Sequence, residues 1–237
     1  IPNNGLIVSN GTDSNLKRVL AQGCWTPIEE FGVKTGWHTE VQPNNTIDIY
    51  FNENYQGCLH WHLLGEHNRM NALAALIAAR HAGVPIAAGI EALAHFKNVK
   101  RRMEERGTVN GITIYDDFAH HPTAIQTTIH GLRAHVGEAR IIAVLEPRSN
   151  TMKMGVWKNS LADSLLEANQ VFCFTRDAQW AMNALEILGK KACCYDDLDL
   201  LIQQITSITQ SGDHILIMSN GGFGGIHEKI LSALRNP

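Results

Sequence analysis

The chain has 237 residues, 44% hydrophobic and 18% charged, enough for one large or two modest globular domains with ordinary cores. A formal net charge of -3 supplies no general attraction to nucleic acid or an anionic membrane, and no stretch approaches the roughly 18 uninterrupted apolar residues of a membrane helix. The cysteines (Cys24, Cys58, Cys173, Cys193, Cys194) are odd in number and lack Cys-x-x-Cys spacing, which argues against a disulfide framework or structural zinc and for a reducing cytoplasm.

No signal peptide is visible, and the chain opens Ile1-Pro-Asn-Asn-Gly5 without an initiator Met, which reads as trimming or as the C-terminal piece of a longer protein. Residues 6–9 form a predicted buried strand, followed by a short helix over 12–22 capped by Thr12 or Asp13. Between residues 34 and 64 the pattern turns to β, with alternating segments at 47–51 and 58–63 separated by a polar turn. Gly65 breaks the chain before an alanine-rich helix at 67–81, and a second helix follows at about 86–96. The basic stretch 97–106 marks a composition shift, and the domain boundary is placed there: 1–96 and 97–237. Beyond it, strands are predicted at 108–116, 139–145, 170–174, 191–195 and 213–218, alternating with helices at 122–135, 158–168, 179–188, 197–209 and 226–235. Continuous apolar runs such as 140–145 and 214–218 indicate a parallel sheet covered on both faces, hence an α/β, doubly wound second domain.

Chemistry-bearing residues gather at strand or loop junctions. In Gly65-Glu-His-Asn-Arg-Met-Asn71, Asn68 and Asn71 stand three apart at a helix start, where free N–H groups and the helix dipole favour an anionic or hydrogen-bonding ligand. Asn68 as a simple helix cap is the competing reading. Lys100-Arg-Arg-Met-Glu104 reads as a solvated link or, through an Arg fork, a phosphate contact. In Ile114-Tyr-Asp-Asp-Phe-Ala-His-His-Pro-Thr123, Pro122 opens a helix after a strand. Asp116, Asp117, His120 and His121 there cannot all converge on one metal ion, and a carboxylate on ribose with a His near phosphate or carboxylate fits better; an Asp cap and plain turn histidines compete with that. Leu145-Glu-Pro-Arg-Ser-Asn-Thr-Met-Lys-Met-Gly155 supplies a candidate carboxylate receptor. Met218-Ser-Asn-Gly-Gly-Phe-Gly-Gly225 is a glycine loop whose amides approach an anion, although His227 stands where a dinucleotide fingerprint needs its third glycine.

These motifs, in this order, resemble those of the Mur ligases, the ATP-dependent amide-bond-forming enzymes of peptidoglycan assembly. The last two resemble most the branch that joins UDP-N-acetylmuramate to the recycled tripeptide L-Ala-γ-D-Glu-meso-diaminopimelate. The sister branch adding L-alanine shares Asp-Asp-x-x-His-His-Pro but has a Pro-His-Arg-Tyr-type sequence where this chain has Pro147-Arg-Ser-Asn150. The resemblance implies a Rossmann-like C-terminal domain (97–237) preceded by the end of an α/β central ATPase domain (1–96). It implies ATP and Mg2+ as cofactors, with the Mg2+ ligands upstream of this chain, and UDP-N-acetylmuramate and the murein tripeptide as substrates, without nucleic-acid or membrane partners. No Gly-x-x-x-x-Gly-Lys-[Ser/Thr] loop is present, so the chain alone is expected to be inactive. If this were the entire natural protein, a non-catalytic nucleotide- or peptide-binding module would be the reading.

The same resemblance carries roles residue by residue. Asn68 and Asn71 contact adenine, with His67 nearby; Arg102 reaches the terminal phosphates; Asp117 holds the ribose. His120 and His121 position substrate or phosphate. Arg148, Ser149, Asn150, Thr151, Lys153, Ser219, Asn220 and Phe223 receive the peptide. The link 97–102 serves as a hinge for domain closure.

Overall fold

A computed structural model describes residues 2–44, 46–61, 63, 65–147 and 158–235. The chain divides into two compact units, Ile1–Lys97 and Asn98–Pro237.

The first unit is a five-stranded sheet with helices packed on it. Strand β1 (Ile7–Asn10) leads into helix α1 (Ser14–Leu20), whose N-cap is Asp13, its carboxylate accepting from the N–H groups of Asn15 and Leu16. Strands β2 (Ile28–Phe31), β3 (Trp37–Val41), β4 (Ile47–Phe51) and β5 (Asn54–Leu59) complete the order β1-β2-β3-β4-β5, parallel at the first pairings and antiparallel at the last two. The strand expected at 58–63 therefore lies earlier. Asn52 and Glu53 adopt positive φ (47° and 66°), so a two-residue turn closes the hairpin sooner than the hydrophobic alternation suggested. Helices α2 (Glu66–His81) and α3 (Ile86–Ala94) cover the sheet through Leu73, Leu76, Ile77 and Ile90, against Trp37, Ile49 and Leu59. Gly89 lets the two helices approach closely; a Cβ there would stand 2.7 Å from Leu76 Cδ2.

The second unit is a three-layer α/β structure. A hairpin of β6 (Glu104–Val109) and β7 (Ile112–Asp117) turns through Asn110 and Gly111, both at positive φ. The single strand expected at 108–116 is thus two strands, because the Asn-Gly signal lies inside the segment and the basic stretch before it already contributes Glu104 to Arg106. Then come α4 (Pro122–Val136), β8 (Ile141–Glu146), α5 (Lys158–Asp163), β9 (Gln170–Phe174), α6 (Ala178–Ala184), β10 (Ala192–Tyr195), α7 (Leu198–Ile208), β11 (His214–Ser219) and α8 (Ile226–Arg235). The sheet order is β10-β9-β8-β11-β7-β6, parallel except for β6 at the edge. The doubly wound parallel sheet expected from the apolar runs is present, with one antiparallel strand added at its edge.

Successive residues of the central strands supply both faces. Ile141, Ala143 and Leu145 of β8 pack with Ile125, Ile129 and Leu132 of α4 and with Leu161 of α5, while Ile142 and Val144 pack with Leu201 of α7 and Ile230 of α8. Each such fully buried aliphatic side chain contributes about 1.5–3 kcal/mol. The helices after β7, β8 and β9 therefore cover one face and those after β10 and β11 the other. The crossovers change sides at β11, so a topological switch point opens at the carboxyl ends of β7, β8 and β11, where α/β sheets hold their ligands. Among the described residues no helix is long and apolar enough to cross a membrane.

Candidate functional site

The three strand ends at the switch point are wired together by polar side chains. Ser219, at the end of β11, donates its hydroxyl to Glu146 Oε2 at the end of β8 (2.7 Å) and accepts from the Gly221 N–H (2.9 Å). That second bond shapes the start of the glycine loop. Ser219 itself is buried, while Asn220 is half-buried.

At the end of β7, the two adjacent aspartates do different work. Asp117 is 3% exposed, and its two oxygens accept from different backbone donors: Oδ2 from the Met103 N–H (2.8 Å) and Oδ1 from the Ala119 N–H (2.7 Å). Thr128 Oγ1 of α4 stands 3.4 Å from Oδ1. Burial raises the Asp117 carboxyl above the ordinary value, and the two backbone donors and the Arg102 charge only partly counter it. Asp116 faces charges instead, with Arg101 Nε at 3.4 Å, Arg106 Nη1 at 3.8 Å and His227 Nε2 at 3.3 Å. The His227 nitrogen is close enough for ion pairing but off the hydrogen-bonding axis. Burial alone would raise the Asp116 carboxyl; His227 and Arg101 hold it below the usual range.

Residues 98–104 are folded onto this strand end. Besides the Met103 bond, the Phe118 N–H donates to the Arg101 carbonyl (2.9 Å), the Arg101 N–H donates to Glu104 Oε2 (2.8 Å), and the Asn98 amide donates to the Arg102 carbonyl. Arg101 and Met103 take left-handed conformations, φ 60° and 49°. Such geometry costs on the order of 1–2 kcal/mol per residue and persists because the surrounding bonds over-determine it. The Arg101 guanidinium turns inward, donating to the Ser219 carbonyl as well as to Asp116. The Arg102 side chain is exposed. Both guanidinium groups lie over the Phe118 ring, at 5.2 and 5.8 Å.

The paired histidines divide too. His121 is the N-cap of α4, its Nδ1 accepting from the Thr123 N–H (3.3 Å), with Pro122 at the first helical position. The helix is capped by a His, not by an Asp as the competing reading had it. His120 Nδ1 lies 2.9 Å from the Phe118 carbonyl, and its ring meets Phe118 edge-on at 5.2 Å.

On the first unit, Gly65 is the N-cap of α2, so Asn68 lies within the first turn and is not the cap. His67 and Asn68 are half-buried and Asn71 is exposed. Phe223, expected in the peptide site, has its ring 1% exposed and packed on Phe174 at 5.6 Å, where φ 42° folds the loop back toward the core. Arg148, Ser149, Asn150, Thr151 and Lys153 lie outside the described residues. Among the described residues, no group of three or more His, Cys, Asp or Glu side chains is arranged to hold a metal ion. Sequence reasoning missed Arg101, Glu146 and His227. Only the switch-point topology gives them meaning, since nothing in their spacing does.

Residues 101–221 match the family model for the Mur ligase glutamate ligase domain. The UDP-N-acetylmuramate--L-alanyl-gamma-D-glutamyl-meso-2,6-diaminoheptandioate ligase of Escherichia coli K12 is 46% identical over 239 residues, covering 99% of this chain and 52% of its own length. The UDP-N-acetylmuramate--L-alanine ligase of Desulfitobacterium hafniense is 36% identical over 155 residues, 63% of this chain and 34% of its own. Among solved structures, a murein peptide ligase from Psychrobacter arcticus superposes with a TM-score of 0.76 at 36% identity, over 100% of this chain and 52% of the other. The chain thus spans about half the length of the relatives it matches across nearly all its residues. It belongs to the Mur ligase family, whose members are ATP-dependent amide ligases of peptidoglycan building blocks.

Proposed function

We propose that this chain is part of a murein peptide ligase that joins UDP-N-acetylmuramate to L-Ala-γ-D-Glu-meso-diaminopimelate. The observation that carries this is the 46% identity to the Escherichia coli tripeptide ligase through both units, against a shorter and less identical match to an L-alanine ligase. The lactyl carboxylate attacks the γ-phosphorus of ATP, giving an acyl phosphate and ADP. The tripeptide amine then attacks the acyl carbon, the amide forms, and inorganic phosphate leaves. Such chemistry asks for positive charge at the phosphoryl oxygens and for alignment of amine with acyl carbon.

The residues here supply parts of that. Arg102 meets the terminal phosphates; its exposed side chain, on a backbone whose carbonyl accepts from Asn98, supports this. His67, Asn68 and Asn71 offer polar groups at the start of α2 for adenine. Asp117 retains lone pairs for a ribose hydroxyl beyond the two it gives to the backbone. His120 and His121 border the same strand end. Arg148, Ser149, Asn150, Thr151 and Lys153 after β8, with Ser219 and Asn220 after β11, form the peptide receptor. The phosphate cradle and the Mg2+ ligands belong to the part of the enzyme outside this chain. Mg2+, when bound there, neutralises phosphoryl charge; the described residues offer it no ligand set.

The test is acceptor choice by the enzyme containing this chain. With ATP and UDP-N-acetylmuramate, phosphate release should depend on the tripeptide and not on L-alanine. Release with L-alanine alone would move the protein to the sister branch. In the same enzyme Lys153→Ala should raise the KM for tripeptide far more than that for ATP, and equal effects would refute peptide recognition.

A further inference from the structure

A second cluster of reactive groups lies away from the switch point, at the opposite edge of the sheet. Edge strand β10 pairs in parallel with β9, and Cys194 stands directly across from Cys173. Neighbouring strands lie about 4.8 Å apart, inside the Cα separation of about 4.4–6.8 Å that a disulfide spans. Both side chains belong to the sheet face covered by α4, α5 and α6, where Cys173 is completely buried and Cys194 half-buried. Cys194 also lines a cavity of about 390 Å³ whose other walls include Met182, Leu185, Glu186 and Gly189. The two thiols lie on the same face of the paired strands. The neighbouring Cys173 thiol holds the Cys194 thiol below its ordinary pKa, while Cys194 and burial push Cys173 up. The pair is therefore asymmetric, with a half-buried, more acidic sulfur beside a fully buried, less acidic one.

We propose that Cys194 and Cys173 form a thiol–disulfide exchange site for small, uncharged disulfides, Cys194 attacking and Cys173 resolving. The Cys194 thiolate forms a bond to one sulfur of the disulfide, breaking its S–S bond and releasing one thiolate, which takes up the proton Cys194 has lost. Cys173 then gives up its proton and attacks Cys194 Sγ, expelling the second small thiol. Two cysteines are oxidised, one disulfide is reduced to two thiols, and two protons and two electrons move between them. Glu186 is the charged group on the cavity wall, which favours an uncharged disulfide over one carrying carboxylates. This site depends on no part of the ligase reading.

Cys24 and Cys58 are internal controls away from the cavity, and Cys193, which lines it beside Cys194, is the stricter one; each is partly exposed. The chain is incubated with bis(2-hydroxyethyl) disulfide, quenched in acid at intervals, digested and mapped by mass spectrometry. The mercaptoethanol adduct should appear first on Cys194, at least about threefold faster than on the three controls, and then give way to a Cys173–Cys194 bond. Cys173→Ser should halt the sequence at the Cys194 adduct. A first adduct on Cys24, Cys58 or Cys193, or a Cys194 adduct that persists in the unsubstituted chain, would overturn the proposal. Both readouts use the unsubstituted chain, so a variant that fails to fold does not remove the test.

Discussion

Replacing Asp117 by Asn separates a carboxylate that holds the link from one that waits for a ligand. Met103 and Ala119 donate to different oxygens of Asp117, and an amide has only one oxygen. The Ala119 bond is the more buried, so the amide oxygen should keep it and the amide NH2 should face the Met103 N–H. A buried donor left unpaired costs about 1–3 kcal/mol, and the retained bond loses roughly half its strength with the charge. Against this, the neutral amide avoids the desolvation that raises the Asp117 carboxyl. The balance is a loss of about 1.5 kcal/mol, which for a unit of this size lowers Tm by about 5 °C. Amide exchange at Met103 should accelerate about tenfold, while Ala119 stays protected. The measurement is calorimetry together with hydrogen exchange on the isolated chain. A Tm within about 1 °C of the unsubstituted chain, with Met103 exchange unchanged, would refute the anchoring role.

Other outcomes follow from neighbouring groups. Arg101→Lys should lower stability, since one ammonium cannot serve both Asp116 and the Ser219 carbonyl, whereas Arg102→Lys should leave Tm unchanged. In the complete ligase Arg102→Ala should reduce turnover by about 10²-fold or more with the fold intact; near-normal phosphate release would remove it from the phosphate site. Asp116, held below the usual carboxylate range, contributes stability that is present above about pH 4 and lost as pH falls through its folded pKa, so Asp116→Asn should flatten the acid limb of a urea-stability profile. His214 is depressed by burial and by the nearby His135 and Arg133 charges. Its contribution is complete above about pH 6.5 and lost on acidification through the folded pKa, a dependence that His214→Gln should abolish.

How much of this was legible in the sequence follows from how local each cause is. The continuous apolar runs of β8 and β11 marked strands buried on both faces, and both lie in the sheet interior. Pro122 opened α4 where the helix-start rule puts it. Boundaries went astray where backbone conformation overrode hydrophobic pattern: the left-handed turn at Asn52–Glu53 starts the second strand of an expected pair early, and the one at Asn110–Gly111 makes a hairpin from an expected single strand. The aspartate pair stood out by composition, yet its division of labour did not. Which Asp meets backbone and which meets Arg101, Arg106 and His227 depends on the link and β6 folding back on β7 and on α8 reaching it from more than a hundred residues away. The burial of Phe223 was no more legible. A glycine loop looks exposed in sequence, and only the packing with Phe174 shows its ring turned inward.

The arginine pair in the link is the clearest case of structure assigning what composition leaves degenerate. Arg101 and Arg102 are chemically identical neighbours stacked over one phenyl ring. The left-handed turn at Arg101 sends its guanidinium inward, where it joins Asp116 of β7 to the Ser219 carbonyl of β11. Because Ser219 in turn holds Glu146 of β8 and the Gly221 amide of the loop, Arg101 ties all three strand ends of the switch point to the link. Its charge is spent there. Arg102 keeps its backbone carbonyl fixed by Asn98 and its side chain in solvent. A permanently charged fork on a pinned backbone is preorganised to meet an anion without first being ordered, which is the condition under which electrostatic stabilisation of phosphoryl transfer is largest. In the phosphate role proposed for Arg102, the inward arginine is what holds the outward one ready.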